Sequence, residues 1–137
     1  SLIKKLNLEK CVFLKGNRKD VLECERKAAL FVLSSDFEGM PNALIEALAL
    51  GLPVISTDCP CGGAHELIQD EENGLLVPVN NIEAMAHAIE ELLSNPEKAK
   101  KYSEMAVKIR DKLDANKILC QWEKFCIEIA ECKEVLL

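Results

Sequence analysis

The 137 residues contain no apolar run approaching the ~18 that a membrane-spanning helix needs, and no basic-then-apolar segment opens the chain. Neither a spanning helix nor a secretory leader is therefore expected. The seven cysteines include no CxxC pair, and the only histidines are His65 and His87. Cys59-Pro60-Cys61 is too close for an ordinary zinc pair, so no metal site is expected. An odd set of unpaired cysteines fits reduced, packing residues of a cytosolic protein. Lys and Arg are missing from residues 28–97, whereas residues 1–35 hold eight of them against four acids. With a net charge of −6, this acidic middle argues against a nucleic-acid groove.

What is present is an ordinary globular balance, 49% hydrophobic and 29% charged, in a length that suits one domain with a real core. No repeat or low-complexity segment interrupts it. Residues 1–8 read as the end of a helix, Cys11–Leu14 as a short strand ended by Lys15-Gly16-Asn17-Arg18, and residues 20–28 as a helix with Val21, Leu22, Cys24 and Ala28 available for packing. Strands follow at 29–33, 53–57 and 74–79, the last closed by Pro78 and so placed near an edge. Helices are expected at 42–50 and 64–69. Another opens on Asn80 with Glu83 as a capping box and carries Ile82, Met85, Ile89 and Leu92 on one face. Asn95-Pro96 restarts a helix whose stripe runs Ala99, Tyr102, Ala106, Ile109 and Leu113. A last helix spans about 115–134 with Ile118, Trp122, Phe125, Ile129 and Cys132. Strands alternating with helices predict an α/β fold, a Rossmann-like parallel sheet with helices on both faces and a helical C-terminal tail. Ligands of such sheets bind beyond the carboxyl ends of the strands, where loops 15–18, 35–41 and 57–63 fall.

The chain is organised around Ser34-Ser35-Asp36-Phe37-Glu38-Gly39-Met40-Pro41-Asn42-Ala43-Leu44-Ile45-Glu46-Ala47. A strand ends before it, good helix formers fill 42–50, Pro41 suits the first helical turn and Gly51 suits the stop. The loop amides and the helix N-terminus then point at one spot beyond the strand, a seat for an anion, most often phosphate. Glu38 in the loop and Glu46 in the helix flank that spot. Carboxylates accept hydrogen bonds from sugar hydroxyls, so the pair beside a phosphate seat suggests a nucleotide sugar. A solvated helix face is the alternative for Glu46.

Glu38-x7-Glu46, inside FEGMPNALIEALALGLPVISTDCPCGG and followed by ENGLLVPV, resembles the C-terminal, donor-binding domain of the family 4 glycosyltransferases. The resemblance covers nearly the whole chain. It implies the GT-B fold, two Rossmann-like domains facing across a cleft. It also implies retaining hexosyl transfer, without a metal or other cofactor, from a nucleotide diphosphate sugar (a UDP-sugar by frequency in such families) to a glycan or lipid-linked acceptor. The setting implied is cell-surface polysaccharide synthesis by a cytoplasmic enzyme, peripheral at the inner membrane face. By the same resemblance Glu38 is the catalytic residue, contacting the donor sugar and supporting the transition state. Gly39, Met40, Pro41, Asn42 and Ala43 hold the sugar and diphosphate, and Glu46 accepts from the ribose hydroxyls. The Gly16-Asn17-Arg18 loop sits beside the base or is a plain strand-to-helix turn; both readings stand. Two other enzymes share the architecture. A nucleotide-sugar epimerase needs no acceptor, and a glycan phosphorylase needs a pyridoxal lysine, which residues 28–97 do not offer. A non-catalytic sugar-nucleotide or protein-binding module is the remaining alternative.

Measured against the family, residues 1–137 read as a single truncated nucleotide-sugar-binding domain. The acceptor domain and the first two strands of the donor domain, with the basic loop that usually holds the diphosphate, are missing. In the family's sheet order, 3-2-1-4-5-6, those strands lie between the segments at 11–14 and 29–33. The chain must pair them directly, detach the first, or borrow from another copy. It is expected to be inactive alone, and to expose Trp122, Phe125 and Ile129 for self-association.

Overall fold

The computed structural model describes residues 1–134, with side chains to residue 131, so the expected place of Cys132 on the last helical stripe lies outside the described residues. Three short strands form its centre: β1 (Phe31–Leu33), β2 (Val54–Thr57) and β3 (Leu75–Val77). They pair in parallel in the order β1-β2-β3, with Phe31 opposite Val54 and Ile55 opposite Leu75. Helices α1 (Leu2–Lys5) and α2 (Val21–Glu25) precede β1. The crossovers are α3 (Asn42–Leu50) and α4 (Gly63–Leu67). After β3 come α5 (Ile82–Ser94), α6 (Pro96–Ala106), α7 (Ile109–Lys112) and α8 (Ala115–Glu134).

Alternation along the strands divides the core into two layers, because successive side chains leave opposite faces. On one face Phe31, Leu33, Val54 and Leu76 meet Leu44, Ala47 and Leu48 of α3, Leu67 of α4 and Ile109 of α7. On the other, Val32, Ile55, Leu75 and Val77 meet Ala88 and Leu92 of α5 and Tyr102 of α6. Each buried Leu, Ile or Val contributes about 1.5–3 kcal/mol, so α3 is pinned to the sheet by its Leu44 and Leu48 face. Helices thus cover both faces of a Rossmann-like sheet, and the described residues close with the helical tail α8, as the sequence predicts.

Several local expectations fail, each for a physical reason. Cys11–Leu14 forms no strand; the segment is exposed and unpaired beside a sheet whose β1 edge has no neighbour among the described residues. An apolar run becomes a strand only when a partner ladder receives it, so of the three arrangements open to this segment, detachment is the one observed. Helix α2 stops at Glu25 and turns its expected packing face outward: Val21, Leu22, Cys24 and Ala28 are exposed, and Glu25 is its buried residue. Helix α1 stops at Lys5, and Asn7 adopts a left-handed φ of 54° just beyond it. Pro41 occupies the N-cap of α3 rather than its first turn, with φ −79° and ψ 99°, while Gly51 ends the helix in the left-handed region at φ 78° as expected. The cap of α5 is Asn81, which accepts from the Ala84 amide at 3.0 Å; Asn80 is displaced into a left-handed turn, and Ile82 points to solvent. The stripe from Ala99 to Leu113 is divided between α6 and α7, which a turn at 107–108 separates.

Candidate functional site

The loop from Ser34 to Pro41 leaves β1 and delivers the chain to the N-terminus of α3. Two anchors hold it against the exit of β2. The first is the Ser35 carbonyl, which accepts from the Thr57 hydroxyl and from the Cys59 thiol at 2.9 Å. Thr57 ends β2 and Cys59 follows it; both are buried, and their own side chains lie 3.5 Å apart. The second is Gly63. A Cβ built there would stand 1.7 Å from the Gly39 carbonyl oxygen and 3.0 Å from Pro41 Cδ, so only glycine permits this approach. Gly62 turns the chain into that contact at φ 75°.

Within this frame Ser35 Oγ donates to Glu38 Oε1 at 2.8 Å. Glu38 is half-buried, and its second carboxylate oxygen has no partner among the described residues. Helix α3 begins directly after the loop with no side-chain cap. Pro41's carbonyl accepts from Leu44 and Ile45, which leaves the amides of Asn42 and Ala43, both exposed residues, without acceptors among the described residues. These two free N–H groups and the positive end of the helix dipole are what an anion meets at this terminus. Glu46 is exposed on the same helix, more than one turn further on. Gly39 and Met40 are exposed, and Pro41 is buried beneath them.

The structure brings Glu38, Gly39, Met40, Pro41, Asn42 and Ala43 together. It does not join them to Gly16, Asn17 and Arg18. That loop is exposed, Gly16 has φ 62°, and the Arg18 guanidinium is taken by Asp20 through Nε–Oδ1 at 2.8 Å and a second bond from Nη2. The pairing holds the Asp20 carboxyl below its usual range. Among the described residues no Lys or Arg pairs with the 34–43 loop. His65 and Glu66 lie on α4, and His65 Nδ1 is 3.4 Å from Asp58.

Behind Glu46 stands a residue that no sequence pattern marks. Glu25 of α2 is only 9% exposed and its Oε2 has no partner among the described residues, while α2 packs on α3. Burial first, and the Glu46 charge second, push the Glu25 carboxyl above its ordinary value. A separate open cleft of about 390 Å³ lies on the other side of the loop. Ser34, Asp36, Thr57, Asn81, Met85 and Ile89 are among its lining residues, and residues 38–46 do not reach it.

A family model described as "Glycosyl transferases group 1" matches residues 1–109. The chain is 35% identical over 135 residues to an exopolysaccharide phosphotransferase of Streptomyces coelicolor, covering 98% of this chain and 14% of that protein. It is 40% identical over 106 residues to the N-acetylgalactosamine-N,N'-diacetylbacillosaminyl-diphospho-undecaprenol 4-alpha-N-acetylgalactosaminyltransferase of Campylobacter jejuni, covering 77% of this chain and 29% of that protein. Among solved structures it is similar to S. aureus TarM, captured as a variant with fondaparinux, alpha-GlcNAc-glycerol and UDP. There the TM-score is 0.83 at 32% identity, over 90% of this chain and 25% of that one. The chain therefore spans well under half the length of these relatives.

Proposed function

The chain belongs to the group 1 glycosyltransferases, and from that premise we propose that it carries the donor half of a retaining, family 4 type transferase. The donor is a nucleotide diphosphate sugar, with UDP favoured because a similar structure holds UDP. The acceptor is a glycan or lipid-linked saccharide of the cell surface, a class that the name of the Campylobacter relative describes for that protein. The observation that carries this reading is the uncapped N-terminus of α3 beside a carboxylate held in place by Ser35.

Retaining transfer builds positive charge on the sugar and negative charge on the departing diphosphate. The Asn42 and Ala43 amides, with the helix dipole, stabilise the latter without reorganising, and the loop amides of Gly39 and Met40 hold the sugar beside it. Glu38 faces the former with its free oxygen. Glu46 accepts from the ribose hydroxyls. No metal is called for in this scheme, since the backbone donors carry the phosphate charge. The cation that completes the seat comes from outside residues 28–97, which contain no Lys or Arg. The chain by itself, a single donor-binding unit, binds nucleotide weakly and does not turn over.

Calorimetric titration of UDP and GDP into the chain and into Glu46→Ala tests the assignment. Weak UDP binding that falls at least about tenfold in Glu46→Ala is expected, the scale of a hydrogen bond to a charged group. Equal affinity in the two proteins would remove Glu46 from the site.

A further inference from the structure

We propose that Ser35 is a positioning residue that sets the direction of the Glu38 carboxylate, an inference resting on the donor-site reading above. Glu38 lies in an irregular loop and has three side-chain torsions, so on its own it would populate several rotamers, and fixing one opposes an entropy of up to about 2 kcal/mol. The bond from Ser35 Oγ at 2.8 Å is charge-assisted, the kind that offsets such a cost. It takes one oxygen, Oε1, and leaves the other to the ligand side.

A serine can direct a carboxylate only if the serine itself is fixed. Ser35 is fixed through its backbone: its carbonyl receives the Thr57 hydroxyl from the buried end of β2 and the thiol of buried Cys59 just after it. Two donors on one carbonyl, one at the end of the central strand and one just beyond it, transmit the sheet's rigidity into a loop that otherwise lacks regular structure. The order of support is therefore β2, Ser35 carbonyl, Ser35 hydroxyl, Glu38. Ser34 and Asp36, on either side, are exposed and make no bond to Glu38 among the described residues, so the task falls on Ser35.

The test needs no ligand. Three-bond side-chain couplings of Glu38 are measured by NMR in the wild-type chain, Ser35→Ala and Ser35→Thr, together with the backbone amide shifts of residues 36–43. The expected result is a single χ1 rotamer in wild type and Ser35→Thr, and averaging over the staggered wells in Ser35→Ala, with the amide shifts kept. A single rotamer surviving in Ser35→Ala, or averaging already present in wild type, overturns the proposal. Amide shifts that move throughout 36–43 in Ser35→Ala also overturn it, because Ser35 then only holds the loop. Failure here is distinct from failure of the donor-site reading, which rests on nucleotide binding.

Discussion

Glu25 shows how far a single residue's environment departs from what its letter suggests. A carboxylate on a five-residue surface helix reads as solvated, yet it is buried against α3 with an oxygen unsatisfied. Burial and the neighbouring Glu46 raise its folded-state pKa above the unfolded value of about 4.3. The fold therefore favours the protonated form, and the stability this group contributes is complete below the unfolded value and lost as pH rises through the folded one. Glu25→Gln removes the charge and keeps the shape. It is expected to raise the melting temperature by about 3 °C near pH 7.5, and the gain is expected to vanish near pH 4, where Glu25 is protonated anyway. Melting curves at the two pH values check this; a gain that persists at the lower pH contradicts it. At the same scale the placement of Glu38 in a loop and of Glu46 on the helix after it was legible, because their spacing and the polar loop are local signals. Ser35, Thr57, Cys59 and Gly63 were not, because their roles come from contacts across 22 to 24 positions, as in the Thr57 and Cys59 bonds to Ser35. The signal available for them was faint: a hydroxyl three residues before the acid, and a Gly-Gly pair after a strand.

Elements whose boundaries are written in their own residues were read correctly. Helix α3 has Pro41 before it, Gly51 after it and neither residue type inside, and its limits match the sequence prediction. β2 starts after Pro53 and β3 stops before Pro78, each inside the wider spans 53–57 and 74–79 expected for them. Elements that depend on a neighbour were misread: Cys11–Leu14 lacks a ladder to join, and α2 lacks a body to pack its Val21 and Leu22 face against. The cap of α5 shifted from Asn80 to Asn81 because adjacent asparagines are interchangeable as letters but only one reaches the Ala84 amide. The meeting of α4 with the Gly39 loop makes its own prediction. Gly63→Ala forces a methyl onto the Gly39 carbonyl, a backbone atom that cannot rotate away. A loss of about 1–3 kcal/mol is expected, the usual cost of overpacking, with amide shifts at Gly39 and Met40 moving most. Denaturant unfolding and amide spectra check both; unchanged stability would mean the loop is not clamped there.

At the scale of the whole molecule, the sheet, its two core layers and the helical tail were legible from the alternation of strands and helices. The candidate site lies at the carboxyl ends of β1 and β2, where an open α/β sheet places its ligands. The exposure of Trp122, Phe125 and Ile129 on α8 agrees with the sequence reading, since a 20-residue helix with an apolar stripe extends beyond the core. The central claim is that the Gly39–Ala43 backbone is the seat for the donor's sugar and diphosphate. Titration of UDP into the isotopically labelled chain, followed by amide NMR, tests it most directly. The amides of Gly39, Met40, Asn42 and Ala43 are predicted to shift first and furthest. Shifts concentrated instead around the Asn81–Met85 cleft, or none at millimolar UDP, would contradict it.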